Sequence, residues 1–137
     1  MNISIVQAQL YWGSVEKNLS HIDSKINKIK NTSLILLPEM FNTSFSPKFI
    51  CLAEDMDGRT VSWMKEIAKN KKCAIAGSLI IEEEKKYYNR LIWVSKNGLI
   101  QTYDKYHLFS LIDEDRFVEK GKGRTIINEQ GWKICPL

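Results

Sequence analysis

The chain has 137 residues, 44% of them hydrophobic and 26% charged, which fits one globular domain and excludes a disordered or fibrous segment. Its net charge of +4 comes from basic residues interleaved with acidic ones, as in Glu82 to Lys86, so it describes a solvated surface and not a nucleic-acid footprint. No apolar run is long enough to cross a bilayer, and Met1-Asn2-Ile3 leads straight into a strand pattern, which excludes a membrane partner and places the chain in the cytoplasm.

Asn2 to Gln9 alternates apolar and polar residues and reads as an edge or near-edge strand. After a turn at Gly13, Val15, Leu19, Ile22, Ile26 and Ile29 step by four and three, tracing one apolar helix face with Ser14 as N-cap. Leu34 to Leu37 is apolar at every position, the mark of a strand covered on both faces. Asn42 to Asp57 has little period and reads as a long loop. Thr60 to Asn70 predicts a second helix on Val61, Met64, Ile67 and Ala68, and Cys73 to Ile81 another buried strand. Tyr87 to Val94 and Leu99 to Tyr103, joined through Asn97-Gly98, predict an antiparallel hairpin. Thr125 to Asn128 and Trp132 to Leu137 read as two further strands. The order predicts an α/β fold with a mixed sheet and helices over one face.

Glu39 follows the buried strand directly, and a carboxylate there is costly unless solvated, paired or used. Lys105 ends a later strand and can project from the same rim of the sheet. On residue chemistry alone two readings stand: Glu39 as a general base with Lys105 facing an oxyanion, or both as surface charges in an ion pair. Glu114, in an acidic turn nine residues past Lys105, is a third candidate. Cys51, Cys73 and Cys135 are odd in number and widely spaced, and read as free thiols, with Cys73 and Cys135 in the core. His21 and His107 are too far apart in sequence to suggest a zinc site, and His107 is expected to fix its loop by hydrogen bonds.

"LILLPEMFNTSF", "YYNRLIWVSKNGLIQTYDKYHLF" and "EDRFVEKGKGRTIINEQGWKICPL", in that order, resemble the nitrilase superfamily of carbon-nitrogen hydrolases, and most of all its omega-amidase (2-oxoglutaramate amidase) branch. The resemblance implies an αββα sandwich of which residues 1–137 are the N-terminal half. It also implies a Cys-Glu-Lys catalytic set, no cofactor or metal, a small amide as substrate and self-association of the full-length protein. Carried over residue by residue, Glu39 is the general base, Lys105 the oxyanion cation, and Glu114 a second glutamate that orients the lysine. Phe41, Thr43 and Phe45 are expected to shape the substrate pocket. The family's nucleophilic cysteine falls about two residues beyond Leu137, so Cys135 matches a packing position of that motif. The expectation is therefore a truncated amidase, with an inactive remnant or interaction partner, an N-carbamoyl-compound hydrolase or a nitrilase as alternatives.

Overall fold

A computed structural model describes residues 1–137, the side chain of Pro47 excepted. Its central sheet has five strands in chain order: β1 (Ile3–Ile5), β2 (Leu34–Leu36), β3 (Ala74–Glu83), β4 (Lys86–Val94) and β5 (Ile100–Asp104). β1, β2 and β3 run parallel, whereas β3, β4 and β5 run antiparallel, so the sheet is mixed as the element order predicts. Helices α1 (Val15–Ile26) and α2 (Arg59–Lys71) supply the two crossovers between the parallel strands.

Alternation along the strands divides the sheet into two faces. Ile35, Ile75, Leu79, Ile81, Ile92 and Val94 point toward α1 and α2 and join Leu19, Ile22, Ile26, Val61, Met64 and Ala68 in the main core. Leu34, Ala74, Ala76 and Trp93 point the other way. That two-sided burial is why β2 is apolar at every position. β1 lies at the sheet edge, as expected, and leaves Ile3 and Ile5 49% and 77% exposed on the face away from the helices.

α1 ends three residues before Ile29, which still packs on the core from the following turn. Ser14 occupies the N-cap position without a side-chain cap bond. The start of α1 is tied down by buried Asn18 instead, which accepts from Tyr11 N at 2.6 Å and donates to the carbonyls of Tyr11 and Asn42 at 2.8 and 2.9 Å. The loop expected from Asn42 to Asp57 contains a 3₁₀ segment, Pro47–Leu52. Glu54 then reaches forward to the exposed donors of α2, accepting from Thr60 N at 2.7 Å and from Thr60 Oγ1.

Asn97-Gly98 does turn the chain between β4 and β5, within the five-residue connection 95–99, where Ser95 N donates to Leu99 O at 2.9 Å. The last two strands differ from expectation. β6 (Ile127–Glu129) and β7 (Trp132–Ile134) pair only with each other, as a short hairpin turning at Gln130-Gly131 with positive φ at both residues. Ile127 and Ile134 lie against Trp93, and Glu129 accepts from Trp93 Nε1 at 3.2 Å and Ser95 Oγ at 2.6 Å. β7 stops before Cys135, which is exposed and not core; Cys51 is exposed as well, and Cys73 is buried.

Candidate active site

The site lies on the sheet face away from α1 and α2. Leu37 N still bonds to Ala76 O, extending the β2–β3 pairing, after which Pro38 ends the ladder because it has no N–H. The chain then turns sharply at Met40, whose φ of +47° is unusual for a residue with a side chain. Ser78 of β3 holds this turn: its Oγ accepts Met40 N at 3.1 Å and its carbonyl accepts Phe41 N at 3.2 Å. Gly77 makes the approach possible, since a Cβ there would come within 2.8 Å of both Leu37 and Phe41. Glu39 is thereby held at the mouth of β2 with its side chain 45% exposed.

Lys105 follows β5, and its backbone is fixed on both sides. Its N–H donates to Asn89 O at 2.9 Å and its carbonyl accepts Gly121 N at 3.0 Å. Only glycine fits at 121, where a Cβ would sit 2.0 Å from Asp104 O. Residue alternation places Lys105 on the same face as Tyr103, Asn89 and Leu91. The chain then loops back so that Glu114 opens a one-turn helix, α3 (Glu114–Phe117), with its side chain fully buried.

These elements converge on one ammonium. Lys105 Nζ donates to Glu39 Oε1 at 2.8 Å and to Glu114 Oε2 at 2.9 Å. Glu114 Oε2 also accepts Phe109 N at 2.7 Å, closing the 105–114 loop on itself. Burial works against the lysine's charge, but the hydrogen bonds and charges of Glu39 and Glu114 outweigh it and hold its pKa above the ordinary lysine value. Lys105 is thus a permanent cation at neutral pH, 81% of its side chain out of solvent and 5.1 Å from the centre of the Phe45 ring.

The three charged residues singled out from the sequence are therefore together, across sequence separations of 66 and nine residues. A cavity of about 220 Å³ opens beside them, lined by Leu36, Glu39, Ser78, Asn89, Tyr103 and Lys105 among others, and by Leu137. Of the three residues expected to shape a pocket, only Phe45 lies near the ammonium. Phe41 turns into the main core, its ring 5.7 Å from Trp63, because the left-handed turn at Met40 aims it at the helix layer. Thr43 is buried in the turn, its hydroxyl on Ser44 O at 3.1 Å and its carbonyl accepting Gly13 N.

Two residues of the site were not singled out from the sequence. Asn89 donates from Nδ2 to Glu39 Oε1 at 2.6 Å and to Glu114 Oε1 at 2.9 Å. Ser78 carries the turn beneath Glu39. The available signal was an asparagine inside "YYNRLIWV", since asparagine is depleted in strands and this one shares a face with Leu91 and Trp93. The histidines stay outside the site: His21 packs edge-on to Tyr11 and His107 edge-on to Tyr106. Among the described residues His107 makes no side-chain hydrogen bond, and no group of three or more His, Cys, Asp or Glu side chains is placed to hold a metal ion. No helix is long and apolar enough to cross a membrane.

This arrangement can be compared with known proteins. The carbon-nitrogen hydrolase family model matches residues 2–135. The chain is 34% identical over its whole length to omega-amidase YafV of Escherichia coli, covering 53% of that protein. It is 32% identical to 2-oxoglutaramate amidase of Bacillus subtilis, with 98% of this chain and 54% of that protein aligned. The chain thus spans about half the length of the curated relatives it matches. Among solved structures, it superposes with a TM-score of 0.95 and 35% identity on XC1258 of Xanthomonas campestris, a CN-hydrolase superfamily protein with an arsenic adduct in its active site. That match covers 98% of this chain and 51% of the other. An amidase from Nesterenkonia sp., at 20% identity, shares the fold with a TM-score of 0.84 over 98% of this chain and 54% of that one. A mixed α/β sheet, a matching family model over nearly every residue and a lysine clamped between two carboxylates at the strand ends agree with one another: the chain belongs to the carbon-nitrogen hydrolase family.

Proposed function

We propose that the protein carrying this chain is an amidase that releases ammonia from small amides, with the ω-amides of 2-oxo acids, such as 2-oxoglutaramate, as its substrates. The observation that carries the reading is Lys105 Nζ held at 2.8 and 2.9 Å between Glu39 and Glu114 at the edge of a small cavity. The identity to omega-amidase and 2-oxoglutaramate amidase supports the choice of amide.

In this reading the family's cysteine, about two residues past Leu137, attacks the amide carbon, and Leu137 already lines the cavity where it is needed. Glu39 takes the thiol proton, and the Lys105 ammonium faces the oxygen that becomes negative in the tetrahedral adduct. Glu39 returns the proton to the nitrogen, the C–N bond breaks and ammonia leaves a thioester. A water then loses its proton to Glu39 and attacks the thioester. The C–S bond breaks, the thiolate recovers the proton and the acid is released. Glu114, buried and without access to the cavity's solvent, keeps Lys105 aimed.

The test is ammonia release by the protein as its cells make it, compared across 2-oxoglutaramate, an N-carbamoyl amino acid and a nitrile. Preference for 2-oxoglutaramate supports the reading. Preference for either other compound moves the substrate class, and no release from any of them removes the activity.

A further inference from the structure

Three charged side chains meet at this site, two of them negative, and a single lysine cannot saturate both carboxylates. The remaining donors are Phe109 N, which serves Glu114 Oε2 at 2.7 Å, and the side chain of Asn89, which alone serves both carboxylates besides the lysine. The residue is 2% exposed, and its Nδ2 donates one hydrogen to Glu39 Oε1 at 2.6 Å and the other to Glu114 Oε1 at 2.9 Å. The reverse amide orientation would set Oδ1 against two carboxylate oxygens, so the donor assignment follows from the surroundings. The backbone of the same residue accepts Lys105 N at 2.9 Å. One strand position therefore touches all three charged residues.

The consequence falls on Glu39. Both the Lys105 and Asn89 bonds land on Oε1, and among the described residues no donor reaches Oε2. Glu39 is the most exposed of the three charged side chains, at 45%, and nothing else in its turn hydrogen-bonds its carboxylate. Without Asn89, one bond to a flexible lysine stem would be all that orients it.

We propose that Asn89 is a positioning residue for the reaction: by fixing Glu39 Oε1 and Glu114 Oε1 with its two amide hydrogens, it leaves Glu39 Oε2 as the oxygen that takes and returns the proton. This rests on the amidase reading above for its catalytic meaning, and on the geometry alone for the clamp. Glu39 Oε2 then receives the proton of the nucleophile that enters the cavity, and the clamp is specific for a carboxylate pair.

Two measurements test it on the protein as its cells make it. The first needs no turnover. With asparagine labelled by ¹⁵N, the two Asn89 side-chain hydrogens should resonate apart from ordinary amides. Glu39→Gln should move one of them and Glu114→Gln mainly the other; hydrogens that respond to neither variant overturn the clamp. The second is kinetic. Asn89→Ala, with Asn89→Ser in its place where the alanine variant does not fold, should lower kcat on the order of 100-fold while KM stays within about threefold. A folded variant with unchanged kcat, or one whose loss lies in KM and not in kcat, overturns the positioning role. Should the wild-type protein release ammonia from no amide, the amidase reading falls separately and the amide spectrum alone decides the clamp.

Discussion

Glu39 and Glu114 share one lysine and one asparagine, yet they should respond oppositely when each is replaced by glutamine. Glu114 has no solvent exposure and accepts from Asn89 Nδ2, Lys105 Nζ and Phe109 N at 2.9, 2.9 and 2.7 Å. A glutamine there offers one oxygen and one NH₂, so whichever way it turns a donor faces a donor. Hydrogen bonds to a charged group contribute about 1.5–3 kcal/mol each, and breaking a buried ion pair costs about 3–5 kcal/mol. Because Lys105 keeps Glu39, the expected loss lies at the lower end, about 3 kcal/mol. Glu39, with 45% of its side chain in solvent, should lose no more than about 1 kcal/mol. Thermal or urea unfolding of both variants against wild type reads the difference, on the order of 10 °C in midpoint for Glu114→Gln and under about 4 °C for Glu39→Gln. Ammonia release reads the other half: Glu39→Gln should abolish it by about 10²–10⁴-fold, whereas the Glu114→Gln deficit acts only through Lys105. Equal stability losses, or a larger one for Glu39→Gln, would refute the division of the pair into a structural anchor and a working base.

The remaining expectations concern the frame around the pair. Gly77→Ala places a Cβ 2.8 Å from Leu37 and Phe41, and should cost about 1–3 kcal/mol in denaturant unfolding while also displacing the turn that carries Glu39. Burial pushes the Cys73 thiol up, Lys71 only partly opposing it, so iodoacetamide followed by mass spectrometry should label Cys51 and Cys135 in the native chain and Cys73 only in denaturant. Lys105 has a folded pKa raised above the unfolded value, so the stability it contributes is fully present below the usual lysine pKa and lost as pH rises through the folded one. The stability gap between wild type and Lys105→Met should therefore stay level from about pH 7 to pH 10 and close only above that. A gap that closes near neutrality would contradict the ion pairs.

Much of the frame was written in local pattern. The helix face from Val15 to Ile26, the all-apolar β2 and the Asn97-Gly98 turn each follow from periodicity or turn chemistry within a dozen residues, and the mixed sheet follows from their order. Glu39 could be singled out because a carboxylate beside a buried strand needs a reason, and Lys105 and Glu114 by their places at a strand end and in the acidic turn after it, their roles coming from the family resemblance. Their meeting could not be read the same way, since it depends on the parallel pairing of β2 with β3 and on the face that each strand presents.

What the tertiary structure alone decided were contacts set by backbone direction and close approach. The left-handed turn at Met40 sent Phe41 into the core and not the cavity, and glycines at 77 and 121 let neighbouring chains touch where any Cβ would intrude. The hairpin of β6 and β7 paired with itself, leaving Cys135 in solvent. Asn89 shows the same limit: a strand asparagine is only a composition oddity until the fold brings two carboxylates to its amide, because hydrogen bonds depend on position in space while periodicity records only position along the chain.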